Sequence, residues 1–547
     1  MEQASLGDVL EALQTILSSP NLAVSQHLSP PTQDVDRFPV LPRKIPKLAP
    51  SNVEHTLASS TPHKGDALLR LKSHLAANIL PYLNLSSLSP NYYGFVTGGA
   101  TPAALLGDLL STIYDQNVQV HLPRETLSTT LEVVTLNMLV QLFQLPEADW
   151  SIGKRNSTGG GTFTTGATAS NVLGLALGRE YVLRKAMERK GLNVDADISC
   201  GECGLAEMMI QAGAKKIQIL STLPHSSIAK AASIVGIGRR NVISISAPND
   251  PLQIDIDHLQ EQASKPNVLN ILAISTGEVN TGRFATDSLH QWTQIRQICD
   301  DHGIWIHVDG AFGLFGRLFS ASEERKTEYA RIAQGVQGLE LADSITGDCH
   351  KLLNVPYDCG VFFTRHKSLS EAVFQNGNAA YLTSGAATSG PDDDDGYNAI
   401  QSPLNIGIEN SRRFRALPVY ATLVAYGRGG YLDMLKRQVG LARRVTRWLL
   451  RDERFLVLPG ESAGETGEET LAQTFIVVLF RVRDEEMMKT FVKRVNDTGK
   501  IYLSGTVWDG KVAARIAISN WQIDVQRDGD LIESVLDEVV SASETGR

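Results

Sequence analysis

The sequence predicts an α/β protein. Its large domain is built on a mostly parallel sheet with helices on both faces, and a smaller C-terminal α+β domain follows. Two observations carry this. Between about residues 90 and 400, short apolar runs (216–220, 242–245, 269–275, 304–308, 344–346 and 361–364) alternate with helical patterns. That is the texture of βαβ units. After residue 412 a long helical stretch, 412–450, is followed by strands 473–481 and 513–519 and by helices 484–498 and 528–543. That order reads as a separate α+β unit.

The elements before the sheet follow from spacing. Residues 5–18 form an amphipathic helix, with Leu6, Val9, Leu10, Leu13, Ile16 and Leu17 on one stripe. Prolines 20, 30, 31, 39, 42, 46 and 50 make 20–50 an extended linker, because proline neither continues a helix nor donates to a ladder. A helix resumes over 63–83. The domains divide as 1–89, 90–411 and 412–547. The loop 383–397 carries four consecutive acids, Asp392–Asp395. Adjacent like charges need solvent, so it reads as a solvated loop rather than a metal site.

Composition sets the class. The chain has 547 residues, 51 Lys+Arg against 60 Asp+Glu (net −9), 42% hydrophobic and 20% charged residues. These values exclude a disordered, collagen-like or disulfide-stapled chain. The acidic balance argues against nucleic acid as a partner. Five scattered cysteines fit a reducing compartment, and a cytoplasmic location is expected. Cys200 and Cys203 form one CxxC with no second pair at zinc spacing, so a structural role is favoured and no metal is expected. The opening segment 1–17 has acidic residues and no basic n-region, so a secretory leader is not expected there, and with no apolar run of 18 residues no membrane span is expected.

Four motifs carry chemistry, each with a plainer alternative. Asp348-Cys349-His350-Lys351 follows directly on the run 342–347, which places Lys351 just past a strand's carboxyl end, beside Ile345, Leu352, Leu353 and Val355. It is either a surface charge or a nucleophilic amine able to form a Schiff base. Asp309 ends the buried run 304–308, where it either caps a helix or faces a flat ligand and holds a heteroaromatic nitrogen protonated. The glycine- and hydroxyl-rich segment 159–171 opens a helix and offers free N–H groups to a phosphate. It matches neither GxGxxG nor the P-loop, which disfavours a dinucleotide or nucleoside triphosphate. His225 either stacks on a cofactor or is structural. In chain order, phosphate loop, His, Asp and Lys together supply what pyridoxal phosphate needs.

With these residues in view, the sequence resembles the group II pyridoxal-phosphate-dependent amino-acid decarboxylases, which include the aromatic-amino-acid, histidine and glutamate decarboxylases. The resemblance spans about residues 65–520. It rests on TTGATASN (164–171), PHSSIAKAA (224–232), HVDGAFG (307–313) and ADSITGDCHKLLNVPYDCG (342–360). It implies a type I fold, a homodimer and an amino-acid substrate converted to its amine and CO2. The alternative on the same fold is an oxidative decarboxylase making an aldehyde, or another lyase or transferase. By resemblance, Lys351 is the Schiff-base lysine, Asp309 the pyridinium partner, Ala311 the small residue under the ring and His225 the stacking histidine. Thr168, Ala169 and Ser170 bind phosphate, with Asp348 nearby, and Asn280 contacts the cofactor. His350 or Tyr397 delivers a proton to Cα. Phe95 and Thr97, in NYYGFVTGGATP (91–102), line the substrate pocket.

Overall fold

Runs of buried, largely β-branched residues assemble into the central sheet. The computed structural model describes residues 5–19, 67–194, 198–320, 327–376 and 400–544, together with 22, 39–42, 44, 45 and 324. In chain order the strands are β1 (Tyr92–Tyr93), β2 (Gly160–Thr164), β3 (Lys216–Ser221), β4 (Val242–Ser244), β5 (Ser246–Ala247), β6 (Asp250–Ile254) and β7 (Val268–Ser275). They continue with β8 (Trp305–Asp309), β9 (Ser344–Asp348), β10 (Gly360–Thr364), β11 (Phe455–Leu458), β12 (Val477–Val482), β13 (Tyr502–Trp508) and β14 (Lys511–Ala517).

The large sheet has the order β2-β10-β9-β8-β7-β3-β4. Only β10 runs against its neighbours. Every residue of β8, β9 and β10 is buried. Helices on both faces of a parallel sheet explain why these strands read as continuous apolar runs without alternation. The pairs Ser275↔Asp309 and Asp309↔Thr346 bring the carboxyl ends of β7, β8 and β9 level. Ligands bind at that edge in such sheets.

Helix Ala167–Arg189 lies across this sheet. Asn171, Gly174 and Gly178 share one of its faces at i, i+3 and i+7. A Cβ on Gly174 would stand 2.3 Å from His307 Nδ1, and one on Gly178 2.8 Å from Trp305 Cδ1. Glycine inside a helix costs about 1 kcal/mol relative to alanine; here it lets the helix backbone reach the β8 side chains.

The smaller sheet has the order β1-β13-β14-β12-β11, antiparallel except for the β1–β13 pair. Residues ahead of the large sheet therefore complete the C-terminal one. Helix Ala416–Arg451 connects the two halves. It breaks at Gly427, whose φ of 57° only glycine adopts readily. It lies so close to helix Pro102–Tyr114 that a Cβ on Gly107 would be 2.8 Å from Pro418 Cα.

The structure moves several expected elements. Segment 160–164, expected within a loop, is the fully buried strand β2. A Cβ at Gly161 would come within 2.8 Å of both Phe362 O and Ile152 Cδ1, so its glycine serves close packing and not a turn. Strands β11 and β13 were not expected from the sequence. The helix expected over 63–83 spans Ala67–Asn78 among the described residues, and Pro81 falls in the 3₁₀ turn Leu80–Tyr82 that follows. The expected helix at 412 begins at Ala416, because Arg412 is buried against Glu132 (Nη1–Oε1 2.7 Å). Within the proline-rich stretch, the Val40 N–H donates to Gly499 O and Val40 O accepts from the Leu85 N–H, which docks that point onto the small domain. Most of 20–50, and the loop 383–397 with Asp392–Asp395 and Tyr397, lie outside the described residues. Among the described residues, no helix is long and apolar enough to cross a membrane.

Candidate active site

The carboxyl ends of the strands enclose a cavity of about 610 Å3. Its lining includes Lys351, Asp309, His225, His350, Asp348, Ala311, Thr168, Ala169, Asn280 and Phe95. These come from six separate stretches of chain.

Asp348 ends β9 and organises one side. Its Oδ2 pairs with Lys351 Nζ at 2.8 Å, and its Oδ1 accepts the Ala167 N–H at 2.6 Å. One carboxylate thus ties the lysine to the start of the long helix. The apolar neighbours of Lys351 are buried in the core, but the ammonium itself faces the cavity with this ionic partner, and it lies 5.8 Å from the Phe312 ring centre. Past Ala167, the N–H groups of Thr168 and Ala169 carry no hydrogen bond among the described residues. Two free donors at the positive end of a 23-residue helix form an anion cradle. Gly360 packs on this turn: a Cβ there would be 2.6 Å from Gly166 Cα.

Asp309 ends β8 and is almost fully buried. Its Oδ2 accepts from Asn171 Nδ2 at 2.9 Å and its Oδ1 from the Ala311 N–H at 3.3 Å. Gly310 and Ala311 follow. Gly310 is pressed on Thr346 O, which a Cβ would approach to 2.9 Å. The floor beside the carboxylate is therefore free of bulky side chains. His225 caps helix Ser226–Ile234, and its Nδ1 accepts from the Ser227 N–H and bonds the Ser227 hydroxyl at 2.8 Å. His350 Nδ1 bonds Cys359 O at 2.9 Å; a carbonyl only accepts, so Nδ1 carries the proton and Nε2, 3.8 Å from Asp348 Oδ2, carries none. Burial holds this imidazole below the ordinary histidine value, and so neutral.

Some expected residues sit elsewhere. Ser170 is fully buried; its hydroxyl bonds Thr164 Oγ1 and donates to Val361 O, and its N–H donates to Gly166 O. It braces the turn and does not face the cavity. Thr97 stands behind the lining and bonds the Tyr357 hydroxyl at 3.1 Å. Asn280 reaches the cavity but spends its amide bridging Glu278 Oε1 and Thr506 Oγ1. Tyr397 lies outside the described residues. The Cys200 thiol is pushed up to about 12, chiefly by burial, far from a reactive range. Among the described residues, no cluster of three or more His, Cys, Asp and Glu could hold a metal.

Other cavity residues were not anticipated, chiefly Arg515, Glu278 and Tyr357. Arg515 comes from β14. Its Nε donates to Val279 O and its Nη1 to Gly94 O, both at 2.6 Å, leaving Nη2 without a partner among the described residues. Burial pushes its pKa down to about 10 against the opposing charge of Glu278, so it remains cationic. A lone arginine in the apolar segment 512–518 was its only sequence signal. Arg283, by contrast, is paired with Glu465 (Nη2–Oε2 2.7 Å) and does not line this cavity.

The residues fit pyridoxal phosphate. Two unpaired helix N–H groups suit the phosphate, a buried carboxylate suits a ring nitrogen, glycine and alanine leave space for a flat ring, and a cavity-facing lysine can bond an aldehyde.

Comparison with known proteins agrees. The pyridoxal-dependent decarboxylase conserved domain matches residues 50–465. The chain is 24% identical over 502 residues to tryptophan decarboxylase 2 of Oryza sativa subsp. japonica, covering 89% of this chain and 87% of that protein. It is 25% identical over 496 residues to phenylacetaldehyde synthase of Arabidopsis thaliana, covering 88% of each. Among solved structures, Oryza sativa TDC with PLP and tryptamine shares the fold, with a TM-score of 0.76 at 20% identity over 99% of both chains.

Proposed function

The chain belongs to the pyridoxal-dependent decarboxylase family, and we propose which of its residues perform that family's reaction. It is a pyridoxal-phosphate-dependent carboxy-lyase that converts an L-amino acid to its amine and CO2. The observation that carries the residue assignment is the convergence of Lys351, Asp309 and two unpaired helix N–H groups on one cavity.

When bound, the cofactor supplies an electron sink for the bond that releases CO2. Lys351 Nζ would hold it covalently. The Thr168 and Ala169 N–H groups would receive its phosphate, Asp309 would partner its ring nitrogen, and His225 would supply a stacking surface. Arg515 Nη2, without a partner among the described residues, holds the substrate carboxylate. His350 Nε2, unprotonated and facing the cavity, is the atom that takes up a proton from solvent and delivers it to Cα in place of the departing CO2. Phe95, Val96 and Phe312 supply apolar wall.

The simple reaction is tested by loading the protein with pyridoxal phosphate and assaying a panel of L-amino acids for CO2, amine, aldehyde, ammonia and peroxide. Equal amounts of CO2 and amine are expected. Aldehyde with ammonia and peroxide would overturn simple decarboxylation in favour of the oxidative reaction. In the same assay Arg515→Leu is expected to raise KM about 10–100-fold, since a hydrogen bond to a charged group contributes about 1.5–3 kcal/mol. Arg515→Lys should lose less. An unchanged KM in both removes Arg515 from substrate binding.

The working unit we propose is a homodimer. Helix Pro102–Tyr114 exposes Leu105, Leu106, Leu109, Leu110, Ile113 and Tyr114 to solvent, and Phe95 at the cavity is 65% exposed. Contiguous apolar surface of this kind marks an interface. Sedimentation is expected to return twice the 59.5 kDa chain mass; a monomer at micromolar concentration would overturn this. All five cysteines are free, which fits the cytoplasm.

A further inference from the structure

Behind the cavity lies a buried chain of hydrogen bonds that the roles above do not use. Trp305 Nε1 donates to Ser344 Oγ at 3.1 Å. Ser344 Oγ meets His307 Nδ1 at 2.8 Å, and His307 Nε2 meets Asn171 Oδ1 at 2.9 Å. Asn171 Nδ2 then donates twice, to Asp309 Oδ2 at 2.9 Å and to Ser227 Oγ at 3.0 Å. Ser227 holds His225 Nδ1. Asn171 and His307 are fully buried, as is Ser344.

The donors can be assigned without ambiguity. The Asn171 amide turns its NH2 toward the Asp309 carboxylate, which accepts, and its carbonyl toward His307. A carbonyl needs a donor, so His307 carries its proton on Nε2. Burial holds this imidazole well below the ordinary histidine value, and so neutral. Its Nδ1 is then an acceptor, and the Ser344 hydroxyl donates to it while accepting from Trp305. Every bond runs in one direction, from the indole to the carboxylate. The geometry is enforced by Gly174, the only residue type that leaves room for the imidazole.

We propose that Asn171, held in one orientation by His307 and Ser344, is the positioning residue that sets both the Asp309 carboxylate and the His225 imidazole around the cofactor ring. It touches neither substrate nor reacting atoms. Its two N–H bonds are the branch point: one fixes the partner of the ring nitrogen, the other fixes the ring's stacking face through Ser227. A free amide would present its oxygen to Asp309 half the time and repel the carboxylate. The proposal rests on the cofactor reading above.

The test compares full-length wild type, Asn171→Ala, His307→Leu and His307→Gln. The readouts are the Kd for pyridoxal phosphate by fluorescence titration of cofactor-stripped protein, the circular dichroism of the bound cofactor, kcat and KM, and Tm. Asn171→Ala is expected to weaken cofactor binding and lower kcat, each about 10–100-fold, the range for removing a partner that orients a ligand-binding group. KM for the amino acid should change little. His307→Leu should act in the same direction with altered cofactor dichroism. His307→Gln can still donate to Asn171 Oδ1 and should recover to within about threefold of wild type. A purely packing role predicts the opposite order, since leucine fills a buried site without an unpaired polar group. Should Asn171→Ala fail to fold, the His307 pair still decides. A wild type that loads the cofactor, with Gln and Leu variants indistinguishable in Kd and dichroism, overturns the proposal alone. A wild type that never binds pyridoxal phosphate overturns the cofactor reading and the proposal with it.

Discussion

Replacing Lys351 with arginine is expected to abolish turnover by about 10⁴-fold or more, the scale of deleting a covalent catalytic group. The visible absorbance that pyridoxal phosphate gains on condensing with a lysine should vanish as well. Arginine is the informative substitution. Lys351 Nζ is 2.8 Å from the buried Asp348 carboxylate, which also accepts the Ala167 N–H. Alanine would leave Asp348 without its cation, at about 1–3 kcal/mol, and would mix a folding defect with a chemical one. Arginine keeps the charge and the pairing but cannot condense with an aldehyde at neutral pH. An unchanged melting temperature with no visible band and no CO2 isolates the covalent role. If Lys351→Arg retains the band, another lysine holds the cofactor and the assignment fails.

The same site shows where sequence is informative and where it stops. Lys351, Asp309 and Asp348 could be read because each ends or follows a strand whose residues are all buried, and the polar group after such a run stands out. His225 could be read on a similar ground, lying just past β3, which is buried from Ile217 to Ser221. Arg515 could not: it reaches the cavity from the C-terminal sheet, and no periodicity reports that β14 lines the same cavity as the end of β8. Asn171 sits in the 164–171 motif with no local signal of a role, because its partners Asp309 and His307 are both more than 130 residues away. Strand β2 was missed through composition. Three glycines in 159–161 argue for a loop, and only the packed surroundings show that Gly161 is needed for close approach. In each miss the deciding contact is non-local. Local pattern placed the strands, and tertiary packing then chose which polar side chains meet.

Asp309→Ala is expected to lower kcat by about 10³-fold. At an effective dielectric of about 20, a charge pair at contact distance is worth about 4 kcal/mol, and each 1.36 kcal/mol is a decade in rate. The loss should appear in kcat more than in substrate KM, because the carboxylate faces the cofactor site, whereas Arg515 holds the substrate end. Cofactor affinity should weaken in parallel. Asp309→Asn is expected to be as poor as alanine, although its shape is preserved. It removes the charge, and its amide would face either the Asn171 NH2 or the Ala311 N–H with a donor against a donor. Two outcomes separate charge from packing. A pyridoxal phosphate analogue methylated at the ring nitrogen carries its positive charge permanently, and the side chain removed in Asp309→Ala leaves space for the methyl group. With that analogue the alanine variant should regain at least tenfold in kcat, while the wild-type protein should bind it poorly. If Asp309→Asn turns over like wild type, or if the analogue restores nothing, the carboxylate serves the fold of the β8 end and not the charge of the ring.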